Sequence, residues 1–86
     1  MIEVEAIDEN NFEVTVTKGK GTTRHTVVVD DEYYDDLTGG EISKVELVRR
    51  SFEFLLDHEP KESILGEFDL RMISRYFPSY EDEIRE

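Results

Sequence analysis

The sequence predicts an α+β domain, with a three-stranded antiparallel β-meander followed by one main helix. Two or three short C-terminal helices then complete the cover on one sheet face. Three observations carry this reading. The first 29 residues alternate apolar and polar with period two. A capping box at Ser43 opens a stretch with helical spacing. Beyond Pro60 the apolar clusters shorten and are punctuated by Gly66 and Pro78.

Ile2, Val4 and Ala6 face one way along the first strand, and Glu3 and Glu5 the other. Phe12, Val14 and Val16 repeat the pattern against Glu13, Thr15 and Thr17, and Arg24 to Val29 forms a third run rich in Thr and Val. Asp8 to Asn11 and Lys18 to Thr22 supply the turns. A sheet apolar on one face has to bury that face against another layer.

Residues 30–40 read as a short acidic helical turn closed by Gly39-Gly40. Ser43 and Glu46 then begin the main helix, 43–58, with Ile42 and Leu47 placed as a hydrophobic staple. Val45, Val48, Phe52, Leu55 and Leu56 fall on one arc, the expected lid of the sheet. Residues 61–86 read as short helices: a turn from Lys61 closed by Gly66 as a C′ residue, a helix Leu70 to Phe77 capped by Asp69, and a last turn from Tyr80 to Arg85. All 86 residues belong to one domain in this reading.

Composition sets the outer bounds. Ten Lys and Arg stand against 22 Asp and Glu, for a net charge of −12. High charge suggests disorder, but Leu, Ile, Val and Phe make up 25 of the 86 residues, above the level of about 20% that marks disordered chains. No apolar run approaches the ~18 residues of a membrane span, and no basic-apolar leader is present, so a cytoplasmic protein without membrane contact is expected. The absence of cysteine removes disulfides and thiolate chemistry. An acidic pI near 4.4 opposes general binding to nucleic-acid backbone.

Leu47 and Phe54 break the amphipathic pattern, because they lie on the side of the main helix away from the expected core stripe. Met72 and Tyr76 do the same on the helix Leu70 to Phe77. Two readings stand. Either the C-terminal helices fold back over these residues, or Leu47, Phe54, Met72 and Tyr76 form an interface for a protein partner or a second copy.

Other features have solvent or structural roles as their first reading. Five carboxylates between Asp30 and Asp36 surround Tyr33 and Tyr34, but their spacing fails the calcium-loop pattern. A solvated acidic segment is expected there, with a partner-binding patch or a weak cation site as rivals. Lys18 to His25 lacks the spacing of a phosphate loop and reads as a hairpin tip. His25 and His58 have no zinc-spaced companions. Arg71 and Arg75, four residues apart, suit internal salt bridges, with phosphate contact as the alternative.

No catalytic motif is present. A chain this short is also expected to lack a pocket of ~300 Å³ or more. No enzyme, cofactor or metal is therefore expected.

The segments Glu59-Pro60-Lys61-Glu62-Ser63-Ile64-Leu65 and Ile73-Ser74-Arg75-Tyr76-Phe77-Pro78, with Phe68-Asp69-Leu70 between them, resemble a group of small uncharacterised prokaryotic proteins of about 80–90 residues. The resemblance spans roughly residues 37–84. It implies one compact domain, strands first and helices after, and brings no activity, ligand or site residue.

The functional expectation is a small acidic interaction or regulatory module without catalysis. The alternative is a nucleic-acid-linked regulator, either a direct binder through Arg71 and Arg75 or an acidic antagonist of a basic protein.

Overall fold

A computed structural model describes residues 1–85. Strands β1 (Ile2–Ala6), β2 (Asn11–Thr17) and β3 (Thr22–Val28) form the expected antiparallel meander. Ile2, Val4 and Ala6 pair with Val16, Val14 and Phe12, so the β1–β2 part of one sheet face is apolar, and β3 adds Val27 beside Thr23 and His25 on that face. The β1–β2 turn is held by Asp8, whose carboxylate accepts from the backbone N–H groups of Asn10 and Asn11 at 2.9 Å each. These bonds, Asn10 first, lower the Asp8 pKa. Gly19 and Gly21 adopt positive φ of 67° and 93° at the tip between β2 and β3, where a side chain would be strained.

Helix α1 (Asp31–Thr38) begins at Asp30, whose side chain accepts from the Tyr33 N–H, and ends at Gly39 in the left-handed conformation. Helix α2 (Lys44–His58) begins at Ser43, whose hydroxyl accepts from the Glu46 N–H at 3.0 Å. Glu46 does not reach back to complete the box. Its carboxylate instead accepts from Arg49 and Arg50 one turn later.

Two corrections concern the C-terminal half. The sheet has a fourth strand, β4 (Glu67–Asp69), which runs parallel to β3 and gives the order β1-β2-β3-β4. Three residues are too few to display a period-two pattern, so this strand reads as loop in sequence. Gly66 consequently is not a helix C′ residue. Its carbonyl accepts from the Thr26 N–H at 2.8 Å and leads the chain into the sheet. The expected helix from Leu70 is also divided: a 3₁₀ turn, Leu70–Met72, passes into α3 (Ile73–Tyr76). Phe77 leaves helical geometry because the residue before a proline is pushed out of it. Helix α4 (Tyr80–Arg85) closes the described chain.

A single cluster of buried residues runs from Phe12, Val14 and Val16 through Val27 and Val29 to Val48, Phe52 and Leu55 on α2. Val45 stands outside it at 39% exposure, which corrects the expected stripe. Leu47 and Phe54 extend the core on the other side of α2, where Tyr80 and Phe77 meet them. Helix α2 is therefore sandwiched between the sheet and α4, and needs two apolar faces.

Candidate functional site

The four residues that depart from the helical pattern separate into two pairs. Leu47 is fully buried, and Phe54 packs edge-on against Tyr80 at 5.3 Å and Phe77 at 5.7 Å between ring centroids. They belong to the interior of this chain and present no surface to a partner. Met72 is half-buried, and Tyr76 is 64% exposed.

Met72 and Tyr76 lie on one wall of an apolar groove of about 370 Å³. The opposite wall is the C-terminal end of α2, with Leu55 and Glu59. The floor is Phe68 of β4, and Ser63, Ile64 and Leu65 form the end that leads into β4. The expectation that so small a chain has no room for such a cavity is corrected here. The groove is enclosed by the end of α2, the segment 63–65, Phe68 of the last strand and the 72–77 segment. Leu65 is 47% exposed at its edge. Sequence periodicity gave no sign of Leu65 or Phe68 as groove residues, because the element that places them is the three-residue strand.

The outer face of the sheet brings acids into line. Glu5 pairs with Glu13, Glu13 with Thr26, and Thr26 with Glu67, so one cross-strand row holds three glutamates. The neighbouring row, Glu3–Thr15–Arg24, holds one acid and one base. Glu67 ends the acidic row at the strand next to the groove.

Of the five carboxylates between Asp30 and Asp36, two serve the fold, while Glu32, Asp35 and Asp36 are exposed. Asp30 caps α1 and accepts from Arg71 at 2.9 Å. Asp31 is paired with Lys44, which lowers its pKa and raises that of the lysine. Among the described residues, no group of three or more His, Asp or Glu side chains is arranged to hold a metal ion.

Arg71 also lies over the Tyr33 ring at 5.0 Å, so its guanidinium is committed within the chain. Arg75 is exposed on α3. His25 is buried on the core face, as its strand parity indicates. Its Nδ1 lies 2.8 Å from the Leu65 carbonyl and its Nε2 2.9 Å from the Thr23 hydroxyl. The carbonyl can only accept, so Nδ1 carries the proton and Nε2 accepts from Thr23. His58 bonds the Phe54 carbonyl through Nδ1 at 2.8 Å and stacks on the Phe54 ring. Both histidines are occupied by packing.

No protein-family model matches the chain, and no curated protein or solved structure matches it either. Among the described residues, no helix is long and apolar enough to cross a membrane.

Proposed function

We propose that this chain is a small acidic interaction module of the cytoplasm that acts without catalysis, and that its binding face is the groove between α2 and α3. One observation carries the reading: an apolar groove lined by Phe68 of the last strand of the sheet, with Leu65 and Tyr76 largely exposed at its walls. The anchors are Leu65 and Tyr76, which are largely exposed, together with Met72, which is half-buried against the core. The net charge of −12 favours a basic partner and speeds its approach. Homotypic association is opposed by the same charge.

Selection from a displayed random-peptide library tests the proposal. Peptides that enrich on the wild type should lose binding to Leu65→Glu/Tyr76→Glu, a variant whose changes fall on exposed side chains and leave the core intact. Retention of every selected peptide by that variant would place the binding face elsewhere. In the nucleic-acid alternative, direct binding rests on Arg75, since Arg71 pairs with Asp30 and lies over Tyr33, while an acidic antagonist of a basic protein needs neither arginine. A gel shift at low salt that is lost in Arg75→Ala would favour direct binding, and loss of a basic protein's DNA binding in the presence of this chain would favour the antagonist.

A further inference from the structure

Strand β4 is the last strand of the sheet, and its middle residue, Phe68, lines the groove. Gly66 turns its carbonyl toward β3, where it accepts from Thr26. Peptide groups alternate along a strand, so the N–H and C=O of Glu67 face away from β3, and the N–H of Asp69 does the same. Glu67 is exposed. The side chains alternate as well. Phe68 points to the apolar side and floors the groove, while Glu67 points to the outer face and ends the row of glutamates.

We infer that the groove is one half of a strand-docking site: an extended partner segment adds to the outer edge of β4, with Lys or Arg opposite Glu67 and an apolar residue entering the groove beside Phe68. This rests on the groove being the binding face. Main-chain bonds to Glu67 and Asp69 supply affinity, and the alternation of the sheet sets the sequence read, basic–apolar–basic. The charge of the incoming strand follows from register. A residue beside Glu67 extends a row that already holds Glu5, Glu13 and Glu67, and opposite charges pair favourably across neighbouring strands, whereas a second acid there is repelled.

The other edge of the sheet, β1, presents Glu3 and Glu5 on the same outer face, whereas the apolar groove lies at β4. A second copy of this chain fits poorly, because joining two β4 edges brings Glu67 against Glu67 or Asp69. The occupant is therefore a basic, apolar-alternating segment of another protein.

Two labelled peptides of identical composition separate the modes. One alternates Lys and Val, and the other arranges the same Lys and Val residues at helical spacing. Fluorescence anisotropy at 50 mM salt should show the alternating peptide binding at least tenfold tighter. Glu67→Lys should weaken it by tenfold or more. Glu67→Pro, which removes an N–H that β3 does not use, should weaken it while unfolding temperature and circular dichroism stay near wild type. Amide exchange at Glu67 and Asp69 should slow when the peptide binds. Equal or tighter binding of the helical peptide overturns the strand mode. So does unchanged affinity in both Glu67 variants. If Leu65→Glu/Tyr76→Glu abolishes binding while the Glu67 variants do not, the groove reading stands and the strand proposal falls. If neither peptide binds at millimolar concentration, both fall.

Discussion

Ser51 Oγ and the hydroxyl oxygen of Tyr80 sit 2.6 Å apart between α2 and α4, with both residues fully buried. Ser51 also donates to the Leu47 carbonyl at 2.8 Å, which uses its only proton. The hydroxyl of Tyr80 must therefore be the donor to Ser51. This pair fixes α4 over the second apolar face of α2.

The asymmetry of that bond predicts an order of effects. Tyr80→Phe leaves Ser51 with its bond to Leu47 and should cost about 0.5–1.5 kcal/mol. Ser51→Ala strands the buried Tyr80 hydroxyl without an acceptor and should cost about 1–3 kcal/mol. Urea unfolding of the two variants checks the order, and the double variant should recover part of the Ser51→Ala loss.

Stability should fall in alkali. Burial raises the pKa of Tyr80 above its ordinary 10.0, and burial followed by the 2.8 Å bond to Glu81 raises that of Tyr33. Both stay protonated in the folded chain at pH values where the unfolded chain ionises them. Their contribution is complete below pH 10.0 and is lost as pH climbs toward the raised folded values. Melting temperature measured from pH 8 to 11.5 should drop beyond pH 10, and Tyr80→Phe should flatten the drop.

Acid acts on a different group. Bonds from Arg49, then Arg50, hold the Glu46 carboxyl near a pKa of about 2, below its ordinary 4.5. A depressed carboxylate stabilises above its unfolded pKa and loses that contribution as pH falls through the folded one. Glu46→Gln should therefore melt below wild type at pH 7, and the gap should close near pH 2. Salt should narrow it as well, because the site is open to solvent.

The like-charged pair Glu5–Glu13 predicts a gain. Like charges directly opposite are destabilising across antiparallel strands. Glu13→Lys should raise the melting temperature by about 1–5 °C at low salt, and 1 M NaCl should erase most of the difference.

Leu47→Ala and Tyr76→Ala should separate sharply. The first empties a fully buried site and should cost about 2–5 kcal/mol. The second trims a side chain that is 64% exposed and should stay within about 0.5 kcal/mol. Similar losses in the two variants would contradict the packing described above.

That contrast also marks how far the sequence could be read. Period-two alternation through Val29 and the cap at Ser43 are local signals, and they placed the meander and the start of α2 correctly, while the cap read at Asp69 heads a 3₁₀ turn that leads into α3. The second apolar side of α2 was visible as an anomaly at Leu47 and Phe54. Which layer covered it depended on a contact between residues 29 apart, Ser51 and Tyr80, that no periodicity records. Strand β4 was hidden for a related reason. Its identity lies in its pairing with Thr26 to Val28, and its own three residues say little. The groove inherits that invisibility, since β4 supplies its floor. Only Met72 and Tyr76 pointed toward it.

Strands β1 to β3 meet through short turns, whereas β4 joins β3 only after the chain has returned through α1 and α2. Contacts between near neighbours form early, and closing a long loop costs entropy before it is repaid. The meander is thus positioned to assemble first and β4 to be added late. In the native protein the same order runs backwards, because a three-residue parallel strand on one edge has few bonds to break. Its amides should exchange before those of β2, so the surface offered to a partner is also the part of the molecule that opens most readily.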